Sequence, residues 1–142
     1  MFNTSLILIC TILLALGASS YLLVLAARKR RQEDRINAIY AELRRDRKAR
    51  FVLPDNAAYS VKLVLHELSM RDAIRIHLDL CQTFRERTRA MSNEACKGSE
   101  AAAAIWEALY LARRLITANQ PLQAARQCRQ AEARLADLTP AS

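Results

Sequence analysis

From Ser5 to Ala27 the chain is apolar without interruption and carries no charged residue, and Arg28-Lys29-Arg30-Arg31 follows at once. At about 1.5 Å per residue, a helix over this stretch is about 35 Å long, enough for a hydrocarbon layer of about 30 Å with some tilt. A soluble core helix needs a polar side. This one offers only scattered Ser and Thr hydroxyls, which can bond back to their own helix. The run is therefore read as a single transmembrane signal anchor, residues 1–27, and the remaining chain has to supply a fold of its own.

Charge gives the anchor a direction. No basic side chain stands in Met1 to Thr4, whereas Arg28 to Arg50 holds ten Lys/Arg against four Asp/Glu. Carrying that block outward is opposed by membrane potential and desolvation, so the N-terminus is expected outside and the C-terminal domain in the cytosol, at a cell inner membrane. A cleaved signal peptide is the competing reading, with Leu16-Gly17-Ala18 as the cut. It lacks a basic leading region, and Tyr21-Leu22-Leu23-Val24-Leu25 continues the run past the cut. Along the span Thr11, Ala15, Ala18, Ser19, Leu22 and Ala26 share one face. Small residues there let a second span approach closely, a copy of this chain included.

The chain's net charge of +8 is concentrated in the juxtamembrane block, because twelve basic residues meet ten acidic ones beyond Arg50. Arg28, Lys29, Arg30 and Arg31 are expected at lipid headgroups. A basic stripe held against a bilayer is poorly placed to reach a duplex, so nucleic acid is not the expected partner. Two Gly and three Pro among abundant Ala, Leu, Arg and Glu predict an all-α fold. Four scattered Cys without a CxxC pair are expected as free thiols.

Arg28 to Arg50 reads as the membrane helix continued into water, with a short seam of Ile36, Ile39, Tyr40 and Leu43 suited to a two-turn helical contact or to lying on headgroups. This gives a basic juxtamembrane helix over 28–53. Pro54-Asp55-Asn56 closes it, with Asp55 or Asn56 as the next cap. A helical bundle of about four helices over 54–142 follows. Its first apolar stripe is Ala57, Val61, Val64, Leu65, Leu68; the second is Met70, Ala73, Ile74, His77, Cys81, Phe84, Met91. The two are about half a turn out of phase, so one straight helix would bury one stripe and expose the other. A break is therefore predicted at Ser69, where Ser69-Met70-Arg71-Asp72 resembles a capping box.

Met91 to Ser99 reads as a loop. Ser99 caps a central helix with a broad apolar surface (Ala101, Ala104, Ile105, Ala108, Leu109, Ala112, Leu115, Ile116). Asn119-Gln120-Pro121 stops it and starts the last helix, which presents Ala124, Cys128, Ala131, Leu135 and Leu138 and ends at Thr139-Pro140. Through Trp106, Leu109 and Pro140 the segment from Trp106 to Pro140 resembles a single tetratricopeptide hairpin. The small residues of its second helix are out of register and no second copy follows, so it is read as a generic αα-hairpin.

Chemistry is sparse. Two His and two Gly leave no material for a nucleophile–base pair or a phosphate cradle, so the chain is not expected to be an enzyme and no cofactor is implied. His77 and Cys81, four apart, could join His66, Cys96 or Cys128 around zinc, but they lie within an apolar stripe and read as core; no metal site is assigned. Cys96, beside Lys97 in the expected loop, is the thiol expected to react first. Asp72, Asp79 and Glu86 with Arg71, Arg75, Arg85 and Arg89 read as a solvated, salt-bridged face. Trp106 and Tyr110, with Arg113 and Arg114 beyond them, have the composition of an interface hot spot and are the expected partner-binding residues.

The sequence thus points to a membrane-anchored adaptor or accessory subunit that binds a membrane or membrane-associated protein complex. The alternatives are a phage-type lysis or envelope-spanning factor with its domain outside, and a His/Cys metal-binding membrane sensor.

Overall fold

The computed structural model describes residues 2–55 and 58–138. It is all-helical, with five helices in the described residues: α1 (Phe2–Arg45), α2 (Val61–Arg89), α3 (Asn93–Gly98), α4 (Glu100–Thr117) and α5 (Pro121–Leu135). The chain divides into two compact units, Met1–Arg35 and Ile36–Ser142.

The first unit is one helix. It is long and apolar enough to cross a membrane, and none of its apolar window is buried by protein. Its hydroxyls turn inward as the sequence suggests: Thr11 Oγ1 donates to the Leu8 carbonyl at 2.8 Å and Ser20 Oγ to that of Leu16 at 2.9 Å. These bonds satisfy the hydroxyls within the helix itself, as a helix in lipid would require.

The second unit begins with the last turns of α1. Ile36, Ile39, Tyr40 and Leu43 are buried against Met70, Ala73, Ile74 and Leu78 of α2, Ile116 of α4 and Ala124 of α5. The short seam is therefore a helical contact within the chain. A second cluster joins Leu80 of α2 to Ala102, Ile105, Ala108, Leu109 and Ala112 of α4 and to Cys128, Ala131 and Leu135 of α5. Alanines at the α4–α5 contact let the two helices close tightly into a hairpin, as ridge-into-groove packing requires small residues where axes approach. Helix α1 stops at Arg45, not Arg50. Asp46 Oδ1 accepts the Lys48 backbone N–H at 2.9 Å, a local side-chain turn that competes with a further helical turn.

Helix α2 differs most from expectation. It has no break at Ser69, whose hydroxyl donates to the Leu65 carbonyl at 2.8 Å inside a continuous helix. Its cap is Ser60, whose side chain accepts the Leu63 N–H, and Asp55 does not take that place; Asn56 and Ala57 lie outside the described residues. Continuity has the consequence set by the phase difference. Met70, Ala73, Ile74 and His77 are buried, while Val61 is 75 % and Leu65 59 % exposed.

The expected loop over Met91 to Ser99 contains the short helix α3, capped by Ser92, and Cys96 lies in it half-buried against the second cluster. Ser99 caps α4, its side chain accepting the Ala102 N–H. Asn119, at φ 62°, ends α4 in a left-handed turn: its N–H bonds the Ile116 carbonyl and the Gln120 N–H that of Leu115, the paired closure of a Schellman motif. Pro121 opens α5, which ends at Leu135, earlier than Thr139-Pro140. Leu138 is buried in the turn that follows, and residues 139–142 lie outside the described residues.

The polar side of α2 is not uniformly solvated either. Arg71 is buried, with Nη2 donating to Glu42 at 2.8 Å and Nε 3.9 Å from Glu67, and its guanidinium faces the Phe51 ring at 5.4 Å. Arg75 pairs with Asp72 and also donates to the Arg47 and Ala49 carbonyls, which ties the 46–50 turn to α2.

The buried α1 seam and the exposed α2 stripe predict opposite responses to truncation. Leu43→Ala should cost about 2–5 kcal/mol, and Leu65→Ala about 0.5 kcal/mol or less. Denaturant titration of full-length protein in mild detergent, followed by far-ultraviolet circular dichroism, checks both.

Candidate interaction site

Tyr40 of α1, His77 of α2 and Leu109 of α4 meet in a buried chain of hydrogen bonds. The Tyr40 hydroxyl lies 3.1 Å from His77 Nδ1, and His77 Nε2 lies 3.1 Å from the Leu109 carbonyl. A carbonyl only accepts, so Nε2 carries the proton and Nδ1 accepts from Tyr40. Burial raises the Tyr40 pKa to about 12, which keeps that hydroxyl a donor. Burial likewise lowers the His77 pKa, with the Arg113 and Arg44 guanidinium charges adding to it against the Leu109 bond. His77 is thus a neutral imidazole with both nitrogens used, standing edge-on to the Tyr40 ring.

That arrangement leaves His77 no lone pair for a metal. The Cys81 sulfur lies 3.6 Å from Nε2, and its thiol pKa is raised, chiefly by burial. His66 is engaged elsewhere, its Nε2 at 2.9 Å from Asn119 Oδ1. Cys128 is wholly buried in the second cluster, with its thiol pushed up to about 11 by desolvation. Among the described residues no group of three or more His, Cys, Asp or Glu stands close enough to hold a metal ion.

Above this chain α2 and α4 form an open groove of about 370 Å³. Its floor is His77, Cys81, Phe84 and Leu109. Trp106 and Tyr110 stand on its α4 side, one turn apart, with ring centroids 5.5 Å apart and planes within 4°. They remain 62 % and 50 % exposed, so they are not part of the bundle core. A stacked pair presents a rigid apolar ledge whose immobilisation on binding costs little side-chain entropy.

Arg113, one turn beyond Tyr110, turns towards α1. Its guanidinium lies 3.7 Å from the centre of the Tyr40 ring and donates to Asn37 Oδ1 at 3.0 Å. The groove thereby continues into a second depression of about 840 Å³, edged by Arg44, Arg47, Arg85, Arg89 and Arg113. Sequence reasoning missed this gathering. Arg44 and Arg47 belong by position to the charge beside the span, and Arg85 and Arg89 to a helix face; only the packing of α1 on α2 and α4 unites them. Arg114 is exposed and lines neither depression.

On α1, Thr11, Ala15, Ala18, Ser19 and Leu22 are all exposed, as are Arg28, Lys29, Arg30 and Arg31. No protein-family model matches the chain, and no curated protein or solved structure matches it. What the groove does must be argued from its own residues.

The buried neutral imidazole carries a pH signature. The pKa of His77 is lowered from its ordinary 6.5, so between the two values the unfolded chain binds more protons. Its contribution to stability is complete above about pH 6.5 and is lost as pH falls through the folded-state value. Urea midpoints of the full-length protein between pH 5 and 7.5 should fall on the acid side, and His77→Gln, which keeps a donor and an acceptor, should flatten the dependence.

Proposed function

We propose that the protein is a single-pass membrane adaptor, anchored by α1 and binding a protein partner at the cytosolic membrane surface through the α2–α4 groove. The anchor rests on the uncovered apolar length of α1. Its orientation rests on the ten basic residues between Arg28 and Arg50, which favour the side of the membrane where they are made. Small side chains on one face of the span suit assembly with a second membrane helix, a copy of the chain or another subunit.

The observation that carries the binding role is the exposed Trp106–Tyr110 stack. Two aromatic rings standing stacked in solvent beside arginines have the composition of an interface anchor. No nucleophile, base and orienting group converge in the groove, since its one histidine is committed to Tyr40 and Leu109. A binding role accounts for the exposed ledge and its flanking arginines without calling on a reaction.

Two measurements test this. Trp106→Ala with Tyr110→Ala should abolish co-purification of the partner from gently solubilised membranes while leaving helicity unchanged; a partner that stays bound shows the surface to be wrongly assigned. Protease added to intact cells or spheroplasts should leave residues beyond Arg50 uncut, and cleavage there reverses the orientation, favouring an envelope-spanning factor with its domain outside.

A further inference from the structure

We infer that the occupant of this groove is an acidic amphipathic helix: its apolar face seats on Cys81, Phe84 and Leu109 against the Trp106–Tyr110 ledge, and its carboxylates meet Arg44, Arg85, Arg89 and Arg113. The inference rests on the groove being the partner site and adds the chemistry of the partner.

The two depressions share His77, Cys81, Arg85 and Arg113, so the apolar floor and the basic margin adjoin. Among the described residues Arg85 and Arg89 are exposed and have no carboxylate partner, while Arg47 is paired with Asp79 at 3.0 Å and Glu86 accepts from Gln82. The margin therefore carries uncompensated positive charge in discrete places. Guanidinium forks in a partly desolvated groove match carboxylates two bonds at a time.

The shape of the occupant follows from what the groove lacks. No strand is present among the described residues, so an extended segment has no sheet edge to join. A trough between two helices with an apolar floor is the setting in which an amphipathic helix docks. His77 of the floor is spent on Tyr40 and Leu109, and the Thr88 hydroxyl proton on the Phe84 and Arg85 carbonyls. A continuous polyphosphate would be brought against Glu86, which lines the basic depression.

Trp106 is the chain's sole tryptophan, so its emission reports directly on the groove. The test titrates full-length protein, held in a zwitterionic detergent, with a helical peptide of about 18 residues bearing leucines on one face and glutamates on both flanks. Companion peptides replace every Glu by Gln or by Lys, and a single-stranded oligothymidylate is run alongside. The Glu peptide should shift Trp106 emission to the blue and bind at least about tenfold more tightly than the Gln peptide, with the advantage shrinking at high salt. Arg85→Gln with Arg89→Gln, both at exposed positions, should remove that advantage and leave helicity intact. Equal binding of Glu and Gln peptides overturns the acidic occupant but leaves the groove as a partner site. A response to oligothymidylate stronger than to the Glu peptide replaces it with a nucleic-acid occupant. No emission change with any peptide overturns the helical occupant altogether, and co-purification with the Trp106 and Tyr110 variants then decides the groove separately.

Discussion

The globular unit depends on a helix that it does not wholly own. Its first core cluster is closed by Ile36, Ile39, Tyr40 and Leu43, all from the last turns of α1, which are buried together with Met70, Ala73 and Ile74 of α2. Burying a side chain of this kind stabilises by about 1.5–3 kcal/mol, against a net stability of about 5–15 kcal/mol for a typical domain. Four such residues are thus comparable to the whole margin. The buried polar chain from Tyr40 through His77 to the Leu109 carbonyl adds direction to this packing: it fits only one rotation of α1 about its axis, because Tyr40 must reach Nδ1 while Leu43 fills the core. Apolar burial supplies the energy and the hydrogen bonds supply the register.

Helix α2 shows how a local signal yields to tertiary packing. Ser69-Met70-Arg71-Asp72 has the spacing of a helix start, and the apolar stripes on either side of it are out of phase. The capping pattern is worth about 1 kcal/mol where a terminus exists. A continuous helix instead keeps every backbone bond through that point, and it places Arg71 between Glu42 and Glu67 while Met70 enters the core. The sequence stated the consequence of continuity correctly, one stripe buried and one exposed, and chose against it because exposed leucines cost free energy. That cost falls on Val61, Leu65 and Leu68, all exposed.

Elements with a strong local cause were legible. The apolar span, the Ser99 cap, the Asn119-Gln120-Pro121 turn and the apolar faces of α4 and α5 each follow from residues within a few positions of one another. Two other helix ends were not: Asp46 stops α1 early through its own turn, and Ser60 caps α2 where Asp55 or Asn56 was expected. The site divides along the same line. Trp106 and Tyr110, neighbours one turn apart, were visible as a pair. The basic margin was not, because Arg44, Arg85 and Arg113 come from three helices and share no spacing that periodicity can detect. Arg113 was expected at the partner surface; its stacking on Tyr40 makes it a strut between α4 and α1.

That double duty separates the groove into two kinds of residue. Its floor and inner wall (His77, Leu109 and Arg113) also hold α1, α2 and α4 together, so their side chains are fixed by the fold before any partner arrives. The outer elements, Trp106, Tyr110, Arg85 and Arg89, are exposed and bear little of the fold's stability. A surface made this way is preorganised where it is apolar and adjustable where it is charged. Preorganisation lowers the ordering cost of association, and in the proposed complex the exposed arginines would govern encounter and selectivity more than adhesion. Under the proposed anchoring, a groove tethered to α1 would meet a membrane-bound partner at a concentration set by the membrane surface, and modest intrinsic affinity would then be enough for stable assembly.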